Sequence, residues 1–179
     1  MKKLSMEELN RLTVEEFRQT EKVSLVIVLD NVRSLNNVGS AFRTSDAFAI
    51  EKICLCGITG TPPHREIQKT ALGATDSVAW EYFSSTLEAM DSFKKQGYKI
   101  CSFEQVDKRV MLNEFIPEKE GKYVLVFGNE VFGVTQEVLD QSDVVIEIPQ
   151  LGTKHSLNIS VTMGIAIWDF IVKLGVLKS

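Results

Sequence analysis

The segment Ser24–Asp30, S-L-V-I-V-L-D, constrains the fold more than any other, because apolar, β-branched residues run through it without alternating with polar ones. A strand covered on one face alternates and a strand covered on both does not, so this run belongs inside a parallel sheet with helices on either side. Asn31 to Gly39 is rich in Asn and Ser, and Val38, Ala41, Phe42, Ser45 and Phe48 then fall at helical spacing. The same order of strand, loop and helix recurs. I-C-L-C-G reads as a strand, Pro62 and Pro63 as loop, 65–72 as a short helix and V-A-W-E-Y-F as a strand. A helix over 87–96, stopped by Gly97, leads to the strand Y-K-I-C-S-F. After a charged, Pro-marked connection come the buried strand K-Y-V-L-V-F-G, a short helix over 135–140, the strand D-V-V-I-E-I-P and a last helix over 157–174. This alternation predicts an α/β domain with a largely parallel sheet flanked by helices.

With 179 residues, 44% of them hydrophobic, the chain can fill one core, and a single domain is expected over 23–179. Residues 1–22 form a charged lead in which Ser5 with Glu8, and Thr13 with Glu16, have capping-box spacing; one or two short helices are expected there. A net charge of −4 neither advertises nor excludes a nucleic-acid partner, since a basic face can sit on a mildly acidic protein. No segment has the apolar length of a membrane span and none near the N-terminus reads as a secretion signal, so a soluble, cytoplasmic protein is expected. Cys54, Cys56 and Cys101 lie in apolar runs with no further Cys/His pair at zinc spacing; they read as core thiols, and no metal site is expected.

Ligands of open parallel sheets bind outside the carboxyl ends of the strands, where loops and helix N-termini converge. Three polar loops fall at such ends: D-N-V-R-S-L-N-N-V-G-S-A-F-R, F-G-N-E-V-F-G and I-P-Q-L-G-T-K-H-S-L-N. The glycine spacing of the second matches neither a dinucleotide fingerprint nor a P-loop. Ser156 and Asn158 open an apolar helix, where free backbone N–H groups and short polar side chains hold polar ligands, although Asn158 also suits an ordinary cap. Glu130 would favour the N-terminus of the short helix after it. Arg43 falls in a helix otherwise carrying Ala, Phe and Val, where a guanidinium needs a carboxylate, phosphate or water. His155 reads as a solvated loop histidine.

Taken together, the three loops resemble the motifs of the SpoU (TrmH-like) branch of the SPOUT RNA methyltransferases. The first motif stands as Asn37-V-G-S-A-F-Arg43, the second as V-L-V-F-Gly128-N-Glu130-V-F-Gly133, and the third as I-P-Q-L-Gly152-T-K-H-Ser156-Leu157-Asn158. The segment Lys69 to Trp80 is similar to a further Gly-Ala stretch of the family, and the likeness runs from about Leu25 to Leu174. It implies the same α/β sheet with a deep C-terminal trefoil knot, and S-adenosylmethionine-dependent methylation of a tRNA or rRNA ribose 2′-hydroxyl. It further implies catalytic roles for Arg43, Asn37, Glu130, Ser156 and Asn158. Cofactor contacts are implied at Phe127, Gly128, Asn129 and Glu130, at Ile148, Gln150, Leu151 and Gly152, and at Ser156, Leu157 and Asn158. A homodimer is implied, each site completed by its neighbour; the last helix, apolar around most of its circumference, agrees.

RNA contacts are expected from Arg33, Arg43, His64, Arg65, Lys69 and Lys154, all in or near loops at one end of the sheet. Only the short lead precedes the domain, so RNA recognition is expected to use that lead, the domain surface or a second subunit. The chain departs from the family pattern at Val131-Phe132 and at Gln150-Leu151, beside the expected cofactor backbone. Two alternatives stay open: an RNA-binding module of the same fold without transfer, and methylation of a base.

Overall fold

The run at Ser24–Asp30 does become an interior strand. In a computed structural model, which describes residues 1–5 and 8–177, the order is α1 (Val14–Gln19), β1 (Val23–Asp30), α2 (Leu35–Ala47), β2 (Ile50–Cys56), α3 (Arg65–Ala71), α4 (Ala74–Ser77) and β3 (Trp80–Phe83). There follow α5 (Thr86–Lys94), β4 (Lys99–Phe103), β5 (Val110–Met111), β6 (Tyr123–Phe127), α6 (Gln136–Asp140), β7 (Val144–Glu147) and α7 (Ile159–Leu174). The first expected lead helix would cover residues 6 and 7, which lie outside the described residues. The second is α1, opened by the capping box of Thr13 and Glu16.

The strands form one sheet in the order β3-β2-β1-β6-β4-β7-β5, and every neighbouring pair is parallel. β6 enters between β1 and β4, with Leu25 beside Tyr123 and Leu29 beside Phe127. This register brings the carboxyl ends of β1, β4 and β6 to one level.

Both faces of the sheet are covered, which is why β1 shows no alternation. Leu25, Ile27 and Leu29 pack with α2, α3 and α7 through Val38, Phe42, Ile67, Met163 and Phe170. Phe170 lies 5.4 Å from both Phe115 and Tyr123 between ring centres. Val26 and Val28 face the other way, with Cys54, Cys56, Val124 and Val126, against Met90 and Phe93 of α5 and Val138 of α6. Each such side chain, fully buried, contributes about 1.5–3 kcal/mol. The three thiols are buried, and burial pushes Cys56 up to about 12 and Cys54 and Cys101 higher still, so they stay protonated. Among the described residues no group of His, Cys, Asp or Glu could hold a metal ion, and no helix is long and apolar enough to cross a membrane.

Two elements were not expected, α4 and β5. α1 packs onto the domain rather than standing off from it: Phe17 joins the core, α1 lies against α4, and Arg18 Nε donates to the Asp76 carbonyl at 3.0 Å. The glycine of the first motif is a packing residue. A Cβ on Gly39 would stand 2.1 Å from Thr70 Oγ1 and 2.3 Å from the Ile67 carbonyl, so its absence is what lets α3 lie against α2.

Candidate active site

A polar cluster at the end of β1 builds the floor beneath the loops. Asp30 is buried; its Oδ1 accepts from Thr86 Oγ1 at 2.6 Å and Asn31 Nδ2 at 2.9 Å, and its Oδ2 from the Thr135 amide at 2.9 Å. Thr59 Oγ1 donates to the Leu29 carbonyl and accepts from the Val32 amide. With every partner in place, this cluster fixes where the chain leaves β1 and where it re-enters α6.

The loop after β6 is a closed, stiff turn. Asn129 and Gly133 exchange backbone hydrogen bonds at 2.9 and 2.8 Å, and Asn129 Oδ1 accepts from the amides of Val131 and Phe132. Asn129 Nδ2 donates to the Asn31 carbonyl, tying this loop to the one after β1. Glu104, just past β4, accepts from the Val134 amide at 2.9 Å and supports the turn from below.

Glu130 joins the first two motifs. Its Oε2 accepts from the Arg33 amide at 3.0 Å, and its Oε1 accepts from the Ser34 amide at 3.0 Å and from Asn37 Nδ2 at 2.9 Å. It therefore serves the N-terminus of α2, not that of α6 as the sequence suggested. Partial burial works to raise its carboxyl, but the donors of Arg33, Asn37 and Ser34 together outweigh it and hold the group below its ordinary value of 4.5. At neutral pH Glu130 is a carboxylate with both oxygens engaged, a positioning group rather than a proton acceptor.

Because the folded-state value is depressed, its contribution is present above the ordinary carboxylate range and is lost only as pH falls through that lower value. Glu130→Ala is expected to lower stability by about 1 kcal/mol at pH 7, as for a lost helix cap, and the deficit should shrink as pH falls through the depressed folded-state value. Thermal melts of the two proteins across pH check this.

The second and third motifs border one cleft of about 520 Å³ at the carboxyl edge of β4, β6 and β7, and the first motif joins it only through its bonds to Glu130. Of the expected cofactor residues, Phe127, Gly128, Asn129, Glu130, Ile148, Gln150, Ser156, Leu157 and Asn158 line it. Leu151 and Gly152 are exposed and lie outside the lining. Asn158 caps α7, its Oδ1 accepting from the Ser160 amide at 2.8 Å, and Ser156 is exposed beside it. Gln105 Nε2 donates to the His155 carbonyl at 2.8 Å, holding the third loop across the cleft; the His155 side chain is in solvent.

Arg43 is not at this cleft. It is exposed on α2, makes no ion pair among the described residues and does not line the cleft of its own chain, while Asn37 reaches the site only through Glu130. The expected RNA contacts are also peripheral. Arg33, Arg65 and Lys154 are exposed, His64 caps α3 through the Glu66 amide, and Lys69 pairs with Glu66 at 2.7 Å. Glu104 and Gln105 escaped the sequence reading, although they follow β4 at its carboxyl end, where the rule that located the other loops would also have placed them.

The sequence profile of the SpoU rRNA Methylase family matches residues 24–168. A 23S rRNA (guanosine-2′-O-)-methyltransferase of Coxiella burnetii is 24% identical over 152 residues, covering 85% of this chain and 60% of that one. The chain spans about three fifths of the length of the curated relatives it matches. The TrmH/SpoU tRNA modifying enzyme of A. aeolicus superposes with a TM-score of 0.79 at 26% identity, covering 89% of this chain and 80% of that one. An AdoMet-bound rRNA methyltransferase from Sinorhizobium meliloti shares the fold, with a TM-score of 0.79 at 23% identity over 90% of this chain and 61% of its own.

Proposed function

The chain belongs to the SpoU rRNA Methylase family, and we propose that it is an S-adenosylmethionine-dependent methyltransferase acting on a ribose 2′-hydroxyl of tRNA or rRNA. The observation that carries this reading is the meeting of Glu130, Ser156 and Asn158, from loops far apart in sequence, at one cleft. The 2′-O-methyltransferase activity named for the Coxiella relative supports the ribose hydroxyl as acceptor.

The cleft suits the cofactor. Its volume falls within the range of roughly 300–1,000 Å³ usual for small-molecule sites. Phe103, Phe127, Ile146 and Ile148 give apolar walls for a purine, and Glu104 and Glu130 line it with no Lys or Arg in the lining, Glu147 being paired with Arg109 from outside it, which favours a cationic ligand. Among the described residues no protein acceptor engages the backbone N–H groups of 150–157, leaving them free for a ligand. When bound, S-adenosylmethionine supplies an electrophilic methyl group. Gly128, Gln150, Ser156 and Leu157 would hold it. The amide of Asn158 and the hydroxyl of Ser156 would orient the incoming ribose, and Glu130 with Asn37 keeps the α2 loop beside them.

Arg43 enters from a second copy in this reading. α7 carries an exposed apolar stripe, Val161, Ile165, Trp168 and Val172, at helical spacing, and α7 packs beside α2, so a twofold contact over that stripe would bring the partner subunit's Arg43 toward this cleft. Trp168→Glu is expected to convert dimer to monomer at micromolar concentration with the fold retained, as read by sedimentation and circular dichroism. We also read the C-terminal segment as knotted. Its closeness to the crossing after β4 supports this, with Phe115 stacked on Phe170 and Lys173 bonded to the Leu112 carbonyl. A cytoplasmic location fits an RNA substrate.

The deciding experiment incubates the protein with labelled S-adenosylmethionine and RNA from cells lacking it, then digests the RNA to nucleosides. A 2′-O-methylated nucleoside is expected. A base-methylated nucleoside would move the acceptor from sugar to base. No label in RNA would leave an RNA-binding module, and calorimetric titration with the cofactor would show whether the cleft still binds it.

A further inference from the structure

Phe132 leaves 82% of its surface in water and its neighbour Val131 leaves 68%, yet both stand on the rim of the cleft. Their loop is not a loose one. The amides of both residues donate to Asn129 Oδ1, and Asn129 and Gly133 close the turn behind them, so the ring is held out by a rigid support. An aromatic kept rigidly in water gives up the stabilisation that burying it would bring, and such a surface at the mouth of a site suits a flat, apolar ligand face.

We propose that Phe132 is the stacking platform for the nucleobase of the substrate nucleotide. This rests on the methyltransferase reading, because the acceptor must be an RNA for a base to arrive there. The 2′-hydroxyl and the base are carried on adjacent carbons of the ribose, so a nucleotide that presents its hydroxyl to the cleft leaves its base at the rim. That base has been drawn out of its own stack, and contact with an exposed aromatic ring offsets the loss without reading sequence. Arg33 is exposed, its amide bound to Glu130, and in this proposal it supplies a cation for the adjoining phosphate. Exposed aromatic rings, together with cations along the backbone path, are how proteins hold unpaired nucleotides.

The test uses full-length protein and RNA from cells lacking it. Phe132→Ala is expected to raise the KM for RNA roughly tenfold or more, with calorimetric affinity for S-adenosylmethionine and sedimentation unchanged, and Phe132→Tyr should restore the wild-type value. Phe132→Trp should show fluorescence quenching on addition of the RNA, over the constant signal of Trp80 and Trp168, and none with S-adenosylhomocysteine alone. An unaltered KM for RNA would overturn the proposal. So would weakened cofactor binding, which would place the cofactor's adenine on the ring, or dissociation into monomers, which would make the ring a subunit contact. If the wild-type protein itself transfers no methyl group, the functional reading fails, and the quenching measurement still decides whether RNA stacks on residue 132.

Discussion

Replacing Arg43 with alanine is expected to lower methyl transfer by about 10²–10³-fold, the usual effect of removing a group that stabilises developing negative charge. Cofactor affinity should stay within about twofold, because Arg43 does not line the cleft of its own chain. The melting temperature should hardly move, since the side chain is exposed and has no ion-pair partner among the described residues. A guanidinium with a pKa above about 12 is a poor proton acceptor, so the role we propose for it is electrostatic, against an RNA phosphate and the hydroxyl as that group loses its proton. Arg43→Lys keeps the charge without the planar fork and should recover only part of the rate. Mixing Arg43→Ala with a variant dead in the cleft gives a sharper test. If each site takes its arginine from the other copy, the mixed dimer holds one complete site, and equimolar exchange should return about a quarter of wild-type activity. No recovery would mean that Arg43 serves its own chain.

Gly128→Ala should be the most damaging single change to the cleft. A Cβ there would lie 2.1 Å from both the Gly133 carbonyl carbon and the Val134 amide nitrogen, backbone atoms that cannot swing aside as a flexible side chain would. The turn 128–133 would have to open, breaking the Asn129–Gly133 pair and carrying Glu130 away from α2. Overpacking of this kind costs about 1–3 kcal/mol, or roughly 2–12 °C in melting temperature for a chain of this size. Cofactor affinity should fall at least tenfold, because the cradle itself is displaced. Gly152→Ala is the matched control, since nothing lies within 4 Å of a Cβ at that position, and its stability should equal that of the wild type. Equal melting curves and equal cofactor titrations for Gly128→Ala would show that the turn yields more easily than its hydrogen bonds imply.

Much of this architecture could be read from the chain because burial on both faces leaves a local signature. β1 and β6 appear as unbroken apolar runs, and the helical spacing of Val38, Ala41, Phe42 and Ser45 matches the buried face of α2. α4 and β5 were missed because four and two residues are too few to display a period. Roles that depend on distant partners were illegible for a different reason. Asp30 reads as the polar end of a strand, and nothing near it announces Thr86 or Thr135, 56 and 105 residues away. Glu130 looked like a local helix-favouring charge, and only the register of β1 beside β6 shows that it serves a helix 93–97 residues upstream. The family resemblance marked Arg43 as functional, but its place outside the cleft of its own chain belongs to the folded surface and could not be read from the motif.

The insertion of β6 between β1 and β4 also bears on how the protein is made. A nascent chain that has left the ribosome only as far as residue 120 holds β1 to β4 complete, yet β1 and β4 each show an unsatisfied hydrogen-bonding edge where β6 belongs. Such edges are templates for the wrong strand. Prematurely terminated products should therefore aggregate rather than persist as half-domains, and the sheet can close only when synthesis has delivered Tyr123–Phe127.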